Sequence, residues 1–161
     1  MYGDLEFWDC NARLGLPAIG GYARCATATD LLAEMDWLGV SRALVHHTLM
    51  LEQSPVVGNT VLSQAVAGQD RLLGSWAILP PQTGELAPGA AFFAAMKREG
   101  IVALWACPRH HRFRLTRSTF GAFLDQVSER RIPLFVPRDA GGIEPEGTYD
   151  LVDALLTQYP D

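Results

Sequence analysis

Four short stretches hold the side chains that could do chemistry. The first is Phe7-Trp8-Asp9-Cys10-Asn11-Ala12-Arg13-Leu14-Gly15, an apolar start running into polar residues and a glycine. Asp9 is a carboxylate that serves either as a site acid or as a cap for local backbone. Arg13 has two uses, pairing with a neighbouring carboxylate or bidentate binding of a substrate carboxylate. Cys10 faces the same region, but no base is evidently placed to activate its thiol. The second stretch is His46-His47, which ends an apolar run. Adjacent strand residues point to opposite faces, so at most one imidazole reaches a common site and the pair makes a poor metal centre. Both read as structural histidines. The third stretch is Arg109-His110-His111-Arg112-Phe113-Arg114, a basic segment that is either a solvated loop or a contact for phosphate or carboxylate. The fourth is Asp139 in Asp-Ala-Gly-Gly, a general base or a cap. No G-x-S-x-G elbow or Walker sequence is present.

The elements that must position these residues alternate between strand and helix. Leu5 to Asp9 is the first strand candidate, followed by a long loop with Gly15, Pro17, Gly20 and Gly21. From about Thr29 to Leu38, Leu31, Leu32, Met35 and Leu38 share a helical face, and Gly39 ends the helix. Ser41 to His46 is the second strand. Ser54-Pro55 reads as an N-cap with proline at the first helical position, and the helix after it buries Val57, Val61, Leu62, Ala65 and Val66. Leu72 to Leu79 is the third strand, closed by Pro80-Pro81. Pro88 opens a helix with Phe92, Phe93 and Met96 inward and Gly100 at its end. Ile101 to Trp105 is the fourth strand. Phe120, Phe123, Leu124 and Val127 mark the next helix, Ile132 to Val136 the fifth strand, and Tyr149 to Tyr159 the last helix.

Composition sets the class. The chain has 161 residues, enough for one domain with a respectable core, and we read residues 1–161 as a single domain. It is 48% hydrophobic and 19% charged, which is globular rather than disordered. The net charge of −5 comes without a basic run interleaved with aromatics, which argues against nucleic acid as a partner. Three cysteines without a C-x-x-C pair point to reduced thiols and no disulfide framework. Met1 to Glu6 lacks the apolar core of a signal peptide, and no apolar run is long enough for a membrane span, so a cytoplasmic location is expected.

Five β/α units in this order imply a mainly parallel sheet with right-handed crossovers. Two architectures fit: a five-stranded doubly wound sheet, or the first five units of a (β/α)8 barrel. The loops favour the barrel. The loop after strand one has no G-x-G-x-x-G, strand three ends in Pro80-Pro81 where a receiver-type site needs an acid, and strand five ends in Pro137-Arg138 where it needs a lysine. Sequential strand order 1-2-3-4-5 would support the barrel, and 2-1-3-4-5 the doubly wound module.

Several segments resemble the amidohydrolase-related (amidohydrolase 2) TIM-barrel family, in its N-terminal portion. Asp9, Gly15 and their spacing match that family's first-strand frame Asp-x-His-x-His-x-Gly, with Asn11 and Arg13 standing where the two histidines would be. The resemblance is closest to a branch that lacks the first-strand His-x-His. Ala43-Leu44-Val45-His46-His47 with Gly58-Asn59, Arg71 through Pro80, Pro81-Gln82-Thr83-Gly84-Glu85, and Ala103 through Leu115 with Pro108 and His111 three apart carry it along the chain.

The resemblance implies a partial (β/α)8 barrel that ends before strand six, and a hydrolase or C–C lyase acting on a small carboxylated or amide-bearing molecule. In metal-dependent members a metal-bound water is the nucleophile. An amide and a guanidinium do not replace two imidazoles as ligands, and the strand-five ligand position also lacks a usual donor. A divalent, zinc-type metal is therefore implied by the family alone and is not expected in this chain. The candidate catalytic residues are Asp9, Asn11, Arg13, His111 and Asp139. The expected partner is a small molecule, with no nucleic acid and no membrane. The alternatives are an inactive barrel scaffold that needs a partner and self-associates through open sheet edges, or a small doubly wound binding module.

Overall fold

A computed structural model describes residues 5–18, 25–138 and 145–159. Five strands, β1 (Phe7–Leu14), β2 (Val40–His47), β3 (Leu72–Ala77), β4 (Ile101–Trp105) and β5 (Leu134–Phe135), form one sheet in the order β1-β2-β3-β4-β5. Helices alternate with them: α1 (Ala28–Leu38), α2 (Leu49–Glu52), α3 (Pro55–Val66), α4 (Gly89–Arg98), α5 (Pro108–His111), α6 (Arg117–Phe120), α7 (Ala122–Glu129) and α8 (Pro145–Gln158). The fold is α/β with parallel strands in sequential order, as a partial (β/α)8 barrel requires, and the 2-1-3-4-5 order of a doubly wound module is excluded. Among the described residues no helix is long and apolar enough to cross a membrane.

The chain divides into two compact units, one comprising residues 1–76 with 98–101 and the other 77–97 with 102–161. In the first, local chemistry starts and stops each helix where the sequence indicates. Thr27 and Asp30 form a reciprocal capping box at the start of α1, and Gly39 ends it at φ 70°. Ser54 caps α3 through the Val57 amide, with Pro55 at the first helical position. Arg71 anchors the start of β2: its guanidinium donates to the carbonyls of Val40 and Ser41 and pairs with Asp36 at 2.6 Å. Ala43, Val45, Leu62, Val66, Leu31 and Met35 form the core beneath the strands. Val57, expected inside, is 40% exposed, because the face of α3 toward the strands is set by Gly58, Leu62 and Val66.

In the second unit, β4 and β5 pair through Leu104–Leu134 and Trp105–Phe135, with the last two rings stacked at 5.0 Å. Phe92 and Phe93 of α4 meet Phe123 of α7 in a cluster of edge and stacked contacts. Two elements are shorter than the sequence pattern suggests. The helix expected through Phe120 and Val127 breaks into α6 and α7 at Gly121, whose φ of 49° and ψ of −131° belong to glycine. Strand five is reduced to Leu134–Phe135, since Pro133 has no N–H for the ladder. The last helix begins at Pro145 rather than Tyr149, tied to the end of β5 by a Thr148 hydroxyl donating to the Arg138 carbonyl.

Candidate functional site

The first strand runs further than its apolar residues suggest. It continues through Cys10, Asn11 and Ala12 to Leu14, so Asp9 lies in its first half and only Arg13 and Leu14 reach its C-terminal end. Edge strands need not be apolar outward, and among the described residues β1 pairs with β2 alone. The pairing is interrupted twice, between Phe7 and Trp8 and between Asp9 and Ala12; at the second, Asp9 faces Ala43 and Ala12 faces Val45, so two residues of β1 oppose one of β2. This is a β-bulge, and the Asn11 amide donates to the Asp9 carboxylate at 2.8 Å within it. Asp9 and Asn11 thus come together, in a local turn that uses Asp9 as a cap.

The bulge also changes which side chains share a face. Beyond it Arg13 pairs with His46 and Leu14 with His47. Ala12, Leu14, Val45 and His47 are buried on one face, while Arg13 is exposed on the other beside the half-buried His46. The two histidines split as strand alternation requires. His47 is structural: its Nδ1 accepts the Leu49 amide at 3.2 Å at the start of α2, and burial holds its pKa below the usual histidine range.

His46 is the residue that sequence reasoning undervalued. Its pKa is lowered to about 4, first by burial and then by the Arg13 guanidinium, against an opposing hydrogen bond that the ring donates to the Ala12 backbone carbonyl. At neutral pH the pair is one fixed positive charge beside one neutral imidazole, at the C-terminal ends of neighbouring parallel strands. Barrel enzymes place their chemistry at such strand ends. The signal available in sequence was the pair of strand ends itself; the missing information was the register.

A metal does not fit this donor set. The field that makes a second positive charge on His46 unfavourable also opposes a divalent cation there. Among the described residues no three His, Cys, Asp or Glu side chains are grouped to hold a metal.

Gly15 closes the strand. At φ +86° it adopts a conformation that side chains disfavour, and a methyl group there would lie 2.7 Å from His47 Cε1 and closer still to Thr48 Oγ1. Gly15→Ala is expected to cost about 3 kcal/mol, combining the left-handed backbone penalty with overpacking, as read by urea denaturation. A loss below about 1 kcal/mol would show that the β1 turn does not bear on His47.

The remaining candidates lie in the second unit. The basic segment is a helical turn rather than a loop: α5 spans Pro108–His111, with Arg112 ending it in the left-handed region at φ 56°. His111 is half-buried and its ring lies near that of Phe113. Arg109, His110, Arg112 and Arg114 are exposed. Asp139 lies outside the described residues.

Comparisons with models of known families, with curated proteins and with solved structures find no match in any of the three.

Proposed function

We propose that the ends of β1 and β2 form a carboxylate-binding site of an amidohydrolase-type hydrolase or decarboxylase that acts on a small carboxylated or amide-bearing molecule, with Arg13 in the place of a strand-one metal ligand. The observation that carries the reading is the pairing of exposed Arg13 with His46 across the strand ends. A guanidinium presents a planar fork of N–H donors that matches a carboxylate. His46 remains uncharged beside it, so Arg13 supplies the charge and His46 a polar, shape-defining wall. The segments that resemble the amidohydrolase-related family support the reaction class, and the sequential parallel strands agree with the barrel on which that class is built. In this reading the site's anion affinity is flat between about pH 6 and 8 and tightens as the pH falls toward the His46 pKa, since a bound anion favours the protonated imidazole.

The test is isothermal titration of the chain with acetate, malonate and benzoate, with a quaternary ammonium salt as the control. Saturable binding of at least one carboxylate is expected, weakened about tenfold or more in Arg13→Lys, which keeps the charge and loses the fork. Absence of saturable binding, or equal affinity in Arg13→Lys, would remove the reading.

The scaffold alternative has one observation in its favour, the exposed apolar side chains of β1. Phe7 and Trp8 are 56% and 48% exposed, which fits a surface awaiting a partner.

A further inference from the structure

The outer edge of β1 bears on that surface directly. β1 pairs with β2 on one side, and among the described residues no strand lies on its other side. Eight residues is long for an open edge. The strand holds neither proline nor lysine, the residues that commonly protect such edges from pairing.

The bulge determines what can pair there. Because β1 uses two residues where β2 uses one, Trp8 and Arg13 share a face although they are five apart: Trp8 pairs with Arg42, and Arg13 with His46, two positions of β2 on one side. Any antiparallel neighbour must match faces on both sides of this bulge. A second copy of β1 does so when Trp8 faces the partner's Arg13. Asp9 then faces Ala12, and this pair lies on a single face, that of Ala43 and Val45 on β2. A slip by one residue sets Trp8 against a side chain of the opposite face.

The aligned register is also chemically self-complementary. It places a guanidinium over an indole twice, once on each side of the dyad. Arg42 already lies over the Trp8 ring at 5.1 Å from its centroid, and the partner's Arg13 would take the other ring face.

We propose that two copies of this chain associate by antiparallel pairing of their β1 edges about a dyad at Cys10–Asn11, with Trp8 of each copy stacked on Arg13 of the other. The stack uses the face of the guanidinium and leaves its N–H edge to a carboxylate. The pairing is therefore compatible with the anion site and does not depend on it.

The dyad has a direct chemical readout. Opposed residues in an antiparallel pair are about 5 Å apart and the rise is about 3.4 Å per residue, which places the two Cys10 Cα atoms about 6 Å apart, within disulfide reach. Cys10 is exposed, Cys25 is half-buried and Cys107 is buried.

The experiment combines light scattering across a concentration series with copper-phenanthroline oxidation of the full chain. A concentration-dependent doubling of mass is expected, with a covalent dimer that disappears in Cys10→Ser. Trp8→Lys opposes a second cation to Arg13 and should weaken association at least tenfold while leaving the far-UV circular dichroism unchanged. A monomer at all concentrations with no Cys10 cross-link overturns the proposal. So does a dimer whose cross-link survives Cys10→Ser. Should Trp8→Lys fail to fold, the Cys10 cross-link in the native sequence decides alone.

Discussion

Stability is expected to fall by about 1 to 3 kcal/mol as the pH drops from 7 to 5, a range in which most carboxylates of the chain still carry their charge. The cause is His46. Its pKa of about 4 in the folded chain lies below the usual 6.5 of the unfolded one. Between those values the unfolded state binds a proton that the folded state refuses, so unfolding gains from acidification. The stabilisation is present above pH 6.5 and is lost progressively down to about pH 4. At about 1.4 kcal/mol per pH unit for one proton, the full window amounts to about 3 kcal/mol. His47, lowered by burial, acts with the same sign. Urea denaturation at pH 7, 6 and 5 measures the slope. His46→Gln should reduce it by about one proton, and a flat profile in the native sequence would show that His46 is not held neutral.

Gly58→Ala is the second large effect, and it runs against the usual rule for helices. Alanine in place of an interior helical glycine normally stabilises by about 1 kcal/mol. At Gly58 the added methyl would lie 2.6 Å from Met50 Cα and nearer its amide nitrogen. Those are backbone atoms of α2 and cannot rotate away, so overpacking of about 1–3 kcal/mol or more decides the sign. A net loss of about 2 kcal/mol is expected, a fall of roughly 4–8 °C in Tm for a chain of this size. Gln64→Ala, on the exposed face of the same helix, serves as the control and should change stability by a few tenths. A stabilised Gly58→Ala would mean that α2 does not sit against α3 as described. The consequence extends toward the site, because α2 starts at the amide that His47 accepts.

Much of this architecture was legible in the sequence because its signals are local. Ser54-Pro55, Gly39, Gly100 and the Phe92-Phe93-Met96 face each report a cap, a left-handed stop or a buried stripe within a few residues, and each is found in place. The alternation of His46 and His47 was equally readable. What was not readable depends on partners distant in sequence. Cys10-Asn11-Ala12-Arg13 has little strand propensity, and only the ladder offered by β2 carries β1 through it. The bulge then moves Arg13 to the face of His46, which no period-two reading could anticipate. The break at Gly121 is invisible to periodicity for the converse reason: Phe120 and Phe123 still meet in one aromatic cluster across a non-helical residue. His111 and the Asp9–Asn11 pair were legible as residue types, but their types do not say that one sits on a short helical turn and the other closes on itself.

The central claim is that Arg13 and a neutral His46 together form an anion site at the ends of two parallel strands. It is tested most directly by following the His46 imidazole signals by NMR as a function of pH, with and without saturating carboxylate, in the native chain and in Arg13→Ala. An apparent pKa near 4 is expected in the free chain. Arg13→Ala should raise it while leaving it below 6.5, because burial is the larger cause of its depression. Bound carboxylate should also raise it, because an anion beside the imidazole favours its protonated form. A free-chain value near 6.5 that neither carboxylate nor the loss of Arg13 moves would show that His46 is not held neutral beside Arg13 and that the two do not form an anion site.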